Sequence, residues 1–220
     1  MSIAPRTQRI IDAATLLIAG CAFLLTGLVA YRQFSSPRPA PMVTEVADWQ
    51  YYATAGQTIG STDGGVTAVV FADFECIACR RISSYVDSLG LLGSRLKVIY
   101  RHYPAAGNWF ASRAAHVSAC AAKQVGFEAI YHALYGNQYR IGVDSWWFFA
   151  RAAGATDSVG FTQCLSQSSE RAALDRDTAD ARRLGVRTVP TILIHRWRFD
   201  GLPPFDSIKK YVATEAIQQD

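Results

Sequence analysis

The 220-residue chain is half hydrophobic and 18% charged, which supports a buried core and excludes a disordered chain. Its length fits one ordinary domain with an appendage. The formal net charge of +4 is mild and the arginines are spread out, so no basic tract marks a nucleic-acid partner.

Residues 13–31 are uncharged and mostly apolar, long enough to cross the hydrocarbon core of a bilayer as a helix. This predicts a transmembrane anchor or uncleaved signal, with residues 1–12 on the cytoplasmic side. A cleaved signal peptide is the rival reading. Its apolar region is usually shorter, and Leu28-Val29-Ala30 supplies only half of a small-x-small cleavage site. Arg6 and Arg9 precede the stretch while Arg32 and Arg38 follow it, so flanking charge scarcely sets the orientation. Cys21, the odd one of five cysteines, falls inside it as a small lipid-facing or packing residue. Residues 32–46 read as a Pro-rich linker, with Ser35 to Pro41 an extended spacer. The globular domain is expected over residues 47–220.

Within that domain Trp49 to Ala53 is expected as a short first strand, and Gly60 to Gly65 as a turn. The apolar run Val66 to Phe71 suits a buried strand. It leads into Asp73-Phe74-Glu75-Cys76-Ile77-Ala78-Cys79-Arg80, followed by an amphipathic pattern of Ile82, Tyr85, Val86 and Leu89. A strand running into a helix places Cys76 at the helix N-terminus, where unpaired N–H groups and the positive dipole end favour a thiolate. Cys79 follows one turn later, within disulfide reach. The first sulfur is expected to be exposed and acidic, the second covered. A zinc half-site is the alternative, but no second C-x-x-C is present and His102, His116, His132 and His195 stand singly. A purely structural disulfide is the other. A C-x-x-C beside a β-α-β pattern reads as a redox site, and because stable disulfides belong outside the cytosol the globular part is expected to face the periplasm or the cell exterior.

Leu96 to Tyr103 is expected as the next strand, closed by Pro104. A helical block follows at about 106–184. Phe110, Ala114, Val117 and Ala121 form one apolar stripe with Cys120 beside it, and Phe127, Ile130, Tyr131 and Leu134 form another. Asp144-Ser145 caps a helix from Trp146 to Ala152, and Asp157-Ser158 caps the next, with Phe161, Cys164 and Leu165 on one side. A helix through Ala173 and Leu174 ends near Arg182-Arg183 with Gly185 behind it. Thr191 to Ile194 and Trp197 to Phe199 read as a hairpin, and Pro203-Pro204 opens a final helix. The expected order is β-β-α-β, helices, β-β-α. That is an α/β, thioredoxin-like frame with a helical insertion and an N-terminal transmembrane helix. Trp109, Trp146, Trp147, Phe148 and Phe149 are read mostly as core, and His102 and His116 as satisfied polar residues rather than catalysts.

From about Trp49 onward the chain resembles the DsbA-like thiol-disulfide oxidoreductases. The stretches that carry the resemblance are Phe71 to Arg80; Tyr100-Arg101-His102-Tyr103-Pro104 with the helix around Ala114 to Ala121 and Asn137-Gln138; and Arg187-Thr188-Val189-Pro190-Thr191. The resemblance implies that Cys76 is the nucleophile and Cys79 the resolving cysteine. It implies that Pro190 is a cis proline turning the Val189 backbone toward Cys76. The dipeptide Ile77-Ala78 departs from the Pro-His of strongly oxidising members and removes a cationic donor, leaving the helix end and Arg80 to tune the thiolate. Val70 stands where many relatives hold a buried carboxylate, with Asp73, Glu75 or water to replace it. A second disulfide in the helical block of several relatives implies a Cys120–Cys164 bond, the alternative being two buried free thiols.

The implied activity is the introduction of disulfides into exported polypeptides that carry cysteine thiols. A quinone-linked membrane reoxidant of the DsbB or vitamin K epoxide reductase type is the implied partner, and the anchor raises the local concentration beside it. A membrane-anchored reductase or isomerase keeps the fold and reverses the flow, and a non-catalytic holdase is a third reading. None of these readings calls for a cofactor or metal.

Overall fold

The computed structural model describes residues 5–35, 43–62, 65–167 and 171–217. The chain divides into two compact units, residues 1–40 and 41–220.

The first unit holds one helix, α1 (Pro5–Ser35). Its Ala14–Arg32 portion is long and apolar enough to cross a membrane, and Leu16, Leu17, Phe23 and Leu24 are exposed along it. The helix runs beyond the expected end at Tyr31 into the stretch read as linker. Between Tyr31 and Pro37 the sequence has no Gly or Pro to stop a helix, and a proline disfavours helical geometry at the residue before it. The remainder of the spacer, Ser36 to Pro41, lies outside the described residues, as does Asp63-Gly64 of the expected turn.

In the second unit the elements are β1 (Val43–Glu45), α2 (Trp49–Tyr52), β2 (Gln57–Gly60), β3 (Thr67–Ala72), α3 (Ile77–Leu91) and β4 (Lys97–His102), followed by a helical block. The block comprises α4 (Ala111–Val125), α5 (Phe127–Gly136), a 3-10 turn (Gln138–Arg140), α6 (Trp146–Ala152), α7 (Ser158–Ser166) and α8 (Arg171–Arg183). The chain then returns through β5 (Thr191–Ile194), β6 (Trp197–Asp200) and α9 (Phe205–Ile217). Six strands form one sheet in the order β1-β6-β5-β3-β4-β2. The β3–β4 pair is parallel, joined through α3, and the other pairs are antiparallel.

Two strands differ from expectation. Trp49 to Tyr52 is a helical turn, because Tyr52 reaches the core edge-on to Phe71 and Trp49 stacks on His195. Aromatic content favours strands only where a pleated surface receives it; here residues three apart share one side of a turn. The first strand is instead β1, inside the stretch read as linker. Its register, Val43 opposite Phe199, is set by β6, and three residues are too few for a periodic signal.

β3 is buried on both faces, as a central strand between helices must be. Val70 and Ala68 join Ile82, Leu89, Ile208, Val212 and the helical block, while Val69 and Phe71 pack with Tyr52, Ala181 and Leu193. The second face also holds a fully buried cation. Arg101 on β4 donates to Asp177 at 2.5 Å, to the Tyr52 carbonyl at 2.8 Å and also to Asp180, and the His102 N–H donates to Asp177 at 2.9 Å. These bonds dock α8 and α2 onto the sheet. Gly185 ends α8 in the left-handed region (φ 71°), which a helix terminus favours. His102 is buried among Phe74, Tyr100 and Phe127, with the Ser118 hydroxyl at 3.4 Å. Burial first, and then Arg101, lower its pKa to about 4, so the ring is neutral near pH 7.

Inside the helical block Ser145 and Asp157 cap α6 and α7 through the Phe148 and Gly160 N–H groups. Phe149 is fully buried, and Trp146, Trp147 and Phe148 are half-buried against the core. Trp109 departs from the expected core: it stands 91% exposed in the loop before α4. Cys120 and Cys164 are joined by a disulfide between α4 and α7, with Cα atoms 5.7 Å apart. The bond spans a sequence separation of 44, so the double Cys→Ala variant is expected to lose about 4 kcal/mol on the chain-entropy estimate. Equilibrium denaturation under non-reducing conditions checks this.

Candidate active site

The β3 strand delivers its C-terminal end to the loop Asp73-Phe74-Glu75, and Cys76 is the N-cap of α3. In that position (φ −77°, ψ 117°) the sulfur accepts the Cys79 N–H at 3.3 Å, filling the place a serine or aspartate oxygen takes at other helix starts. Cys76 is half-buried, whereas Cys79 is 2% exposed; both thiols are free. The Cys76 thiol donates to the Val189 carbonyl at 3.5 Å, and the Val189–Pro190 bond is cis. The C-x-x-C at the head of α3 and the distant Val189–Pro190 pair therefore meet at one sulfur.

Electrostatics separates the two thiols. The Cys76 pKa is lowered to about 7, first by the hydrogen bond from the Cys79 thiol and then by the Cys79 and Ala78 N–H groups. Partial burial and the Asp73 charge oppose this. The Cys79 thiol is pushed far up by burial, so it stays protonated while reduced. Ile77 is 76% exposed and Ala78 is half-buried, so this dipeptide contributes only backbone to the sulfur. Arg80 lies exposed on the same turn of α3.

The two acids before Cys76 take other roles. Asp73, 3% exposed, accepts the Glu75 N–H at 2.8 Å, the Ala105 N–H at 2.9 Å and the Asn108 amide at 2.7 Å. Glu75 accepts the Phe110 N–H at 2.7 Å. It thus supplies the capping acceptor for α4, whose own N-cap residue, Phe110, has no side-chain bond. Burial raises the Glu75 pKa above the usual carboxylate range, against the pull of those N–H groups. Val70 lies in the core with no acid of its own to offer.

Near Cys79 the core is aromatic. Phe74 stacks on Tyr100 at 5.3 Å, the Tyr100 and Tyr135 hydroxyls lie 2.9 Å apart, and the Tyr135 hydroxyl donates to the Asp73 carbonyl at 3.3 Å. Gln138 donates to the Phe74 and Cys76 carbonyls. Asn137-Gln138 carries part of the resemblance, but no role for Gln138 is legible in the sequence, nor for Asn108 and Tyr135, because each acts across more than 30 residues. A cleft of about 530 Å³ lies elsewhere, between the C-terminal end of α3 and α9, lined by Leu92, Arg95, Lys209 and Val212. The sulfur itself is offered at a surface that a polypeptide chain can reach.

Residues 53–214 match the thioredoxin family model. Among curated proteins the chain is 29% identical over 161 residues to the Na(+)/H(+) antiporter NhaA 1 of Mycolicibacterium gilvum, a match covering 71% of this chain and 26% of that protein. The chain therefore spans about a quarter of the length of that relative. Among solved structures, a periplasmic thioredoxin-like protein from Salmonella enterica serovar Typhimurium superposes with a TM-score of 0.67 at 19% identity, covering 79% of this chain and 99% of that one. The thiol-disulfide exchange protein alpha-DsbA2 from Wolbachia pipientis superposes at 0.66 with 22% identity, over 76% and 90% of the two chains. BdbD from Bacillus subtilis gives 0.65 at 15% identity, over 81% and 99%. The fold is the one these proteins share, and the chain belongs to the thioredoxin family.

Proposed function

We propose that this chain is a membrane-anchored, extracytoplasmic protein thiol-disulfide oxidoreductase that passes the Cys76–Cys79 disulfide to exported polypeptides. The observation that carries the reading is the asymmetry of the pair. One half-exposed sulfur has a pKa near neutrality, and its partner is buried and held protonated one turn away. A client thiolate attacks Cys76 Sγ in the oxidised pair. The Cys76–Cys79 bond breaks, and Cys79 leaves with the electron pair and takes up a proton. A second client thiolate then attacks the client sulfur of the mixed disulfide and releases Cys76 as a thiolate. The client loses two electrons and the pair gains them, so turnover needs an oxidant. A quinone-linked membrane protein of the DsbB or vitamin K epoxide reductase type fits that need, and α1 keeps the domain near it. The Val189 carbonyl, which accepts the Cys76 thiol in the reduced pair, loses that donor on oxidation and is then an acceptor for the backbone N–H of an extended client.

A reductase or isomerase is favoured by one observation. A thiolate pKa of about 7 matches the value of about 7 in thioredoxin and lies above the value of about 3.5 in DsbA.

The reactive form is tested by the rate at which iodoacetamide alkylates Cys76 as pH rises. The expected profile has its midpoint near 7. A midpoint near 8.5, that of an ordinary thiol (about 8.5), contradicts the reading. The lowered pKa belongs to the reduced form. Its stabilisation of that form is complete above the ordinary thiol pKa and is lost as pH falls through about 7.

A further inference from the structure

One neutral side chain from the helical block holds the segment that carries Cys76. Gln138, 9% exposed on the 3-10 turn after α5, donates through Nε2 to the Phe74 carbonyl at 2.7 Å and the Cys76 carbonyl at 2.9 Å. Both partners are acceptors only, so both amide protons are engaged and the NH2 group must face inward. The Cys76 carbonyl also accepts the Arg80 N–H at 3.1 Å, the first intrahelical bond of α3. Two donors on one carbonyl oxygen fix the peptide plane after Cys76. That plane sets the backbone angle from which Sγ meets the Cys79 N–H.

The geometry points to Gln138 as a positioning residue for Cys76: its amide pins the Phe74 and Cys76 carbonyls and so keeps the sulfur at the head of α3. This inference rests on the redox reading of the pair, and it gives the helical block a part in that chemistry. The titratable groups around Cys76 are Cys79, Asp73 and Glu75, with Arg80 exposed on α3. The Val189 side presents a carbonyl and the helical block an uncharged amide. Exchanging Gln138 for a neutral side chain therefore changes no charge near the sulfur, and any shift in its reactivity reports position.

The test compares the full-length wild type with Gln138→Met in detergent micelles. It reads the rate of Cys76 alkylation by iodoacetamide against pH from the mass of the Cys76 peptide. The expected result is a midpoint raised by about one pH unit, a tenfold lower thiolate-to-thiol ratio near neutrality. Gln138→Glu, which sets a carboxylate against two carbonyl oxygens, is expected to match or exceed that shift. A folded Gln138→Met protein with the wild-type midpoint overturns the inference, even if its thermal stability has fallen. Should the variants not fold, the wild type decides: the Gln138 Nε2 protons are expected to be protected from solvent exchange. Exchange at the rate of a free glutamine amide overturns the inference. If the wild type has the lowered midpoint but transfers no disulfide to a reduced client, the oxidoreductase reading falls and the Gln138 assignment stands. If it transfers disulfides and the variant midpoint is unchanged, Gln138 alone falls.

Discussion

Replacing Cys76 by serine is expected to remove disulfide exchange, a loss on the order of a thousandfold or more, as when other enzymes lose their nucleophile. Cys79→Ser is expected to behave differently. Cys76 keeps its surface position and its neighbouring N–H donors, so it still attacks a disulfide-bonded client. No internal thiol then resolves the mixed disulfide, which accumulates and is visible on non-reducing gels. Serine keeps a donor hydroxyl where the Cys79 thiol, the largest cause of the lowered Cys76 pKa, stood. Cys79→Ala removes that donor, so attack by the alanine variant is expected to slow near neutral pH and recover as pH rises. Equal and complete loss in both serine variants, with no trapped species, would contradict the assigned order of attack. Full function in Cys76→Ser would favour a holdase.

Arg101→Leu is expected to cost about 3–5 kcal/mol, the range for breaking a buried ion pair by removing one partner. Arg101 is fully buried, and its loss strands Asp177 and Asp180 in the second core, together with the Tyr52 carbonyl. The pH dependence has a definite sign. Burial already raises the Asp177 pKa above the ordinary value in spite of Arg101. A carboxylate with a raised folded-state pKa favours the fold below its unfolded pKa and disfavours it as pH rises through the folded one. The variant should therefore be hurt least in acid and most at neutral pH. Adding Asp177→Asn and Asp180→Asn should recover much of the loss. Denaturant titrations at two pH values check both statements, and a loss independent of pH would contradict the assigned cause.

What the sequence made legible follows from the range over which each feature acts. The apolar run into β3, the switch to helical periodicity at Ile82 and the caps Ser145 and Asp157 are local, and each shows in neighbouring residues. The sulfurs and Val189–Pro190 were found through motifs, and the structure brings them together. The rest depends on partners distant in sequence. β1 is a strand because β6 pairs with it, and Trp49–Tyr52 is a helix because the second core receives Tyr52. Asp73 and Glu75 look in sequence like free acids beside a cysteine. In the fold they satisfy Ala105, Asn108 and Phe110, and so tie the active-site loop to the entry of the helical block. Trp109 stands exposed next to that entry rather than in the core. Arg101 in sequence is only a cation in a strand; its two aspartates lie 76 and 79 residues away.

The most direct single test is the reduction potential of the Cys76–Cys79 pair, measured on the full chain in detergent by equilibration in glutathione buffers. The thiolate is stabilised by the head of α3 and the Cys79 thiol without a histidine. The expected result is a reversible two-electron transition between the values of thioredoxin, about −270 mV, and DsbA, about −120 mV. A value at or below about −270 mV would contradict the disulfide-donating direction and make the protein a reductant. Absence of any reversible transition would contradict the redox reading itself.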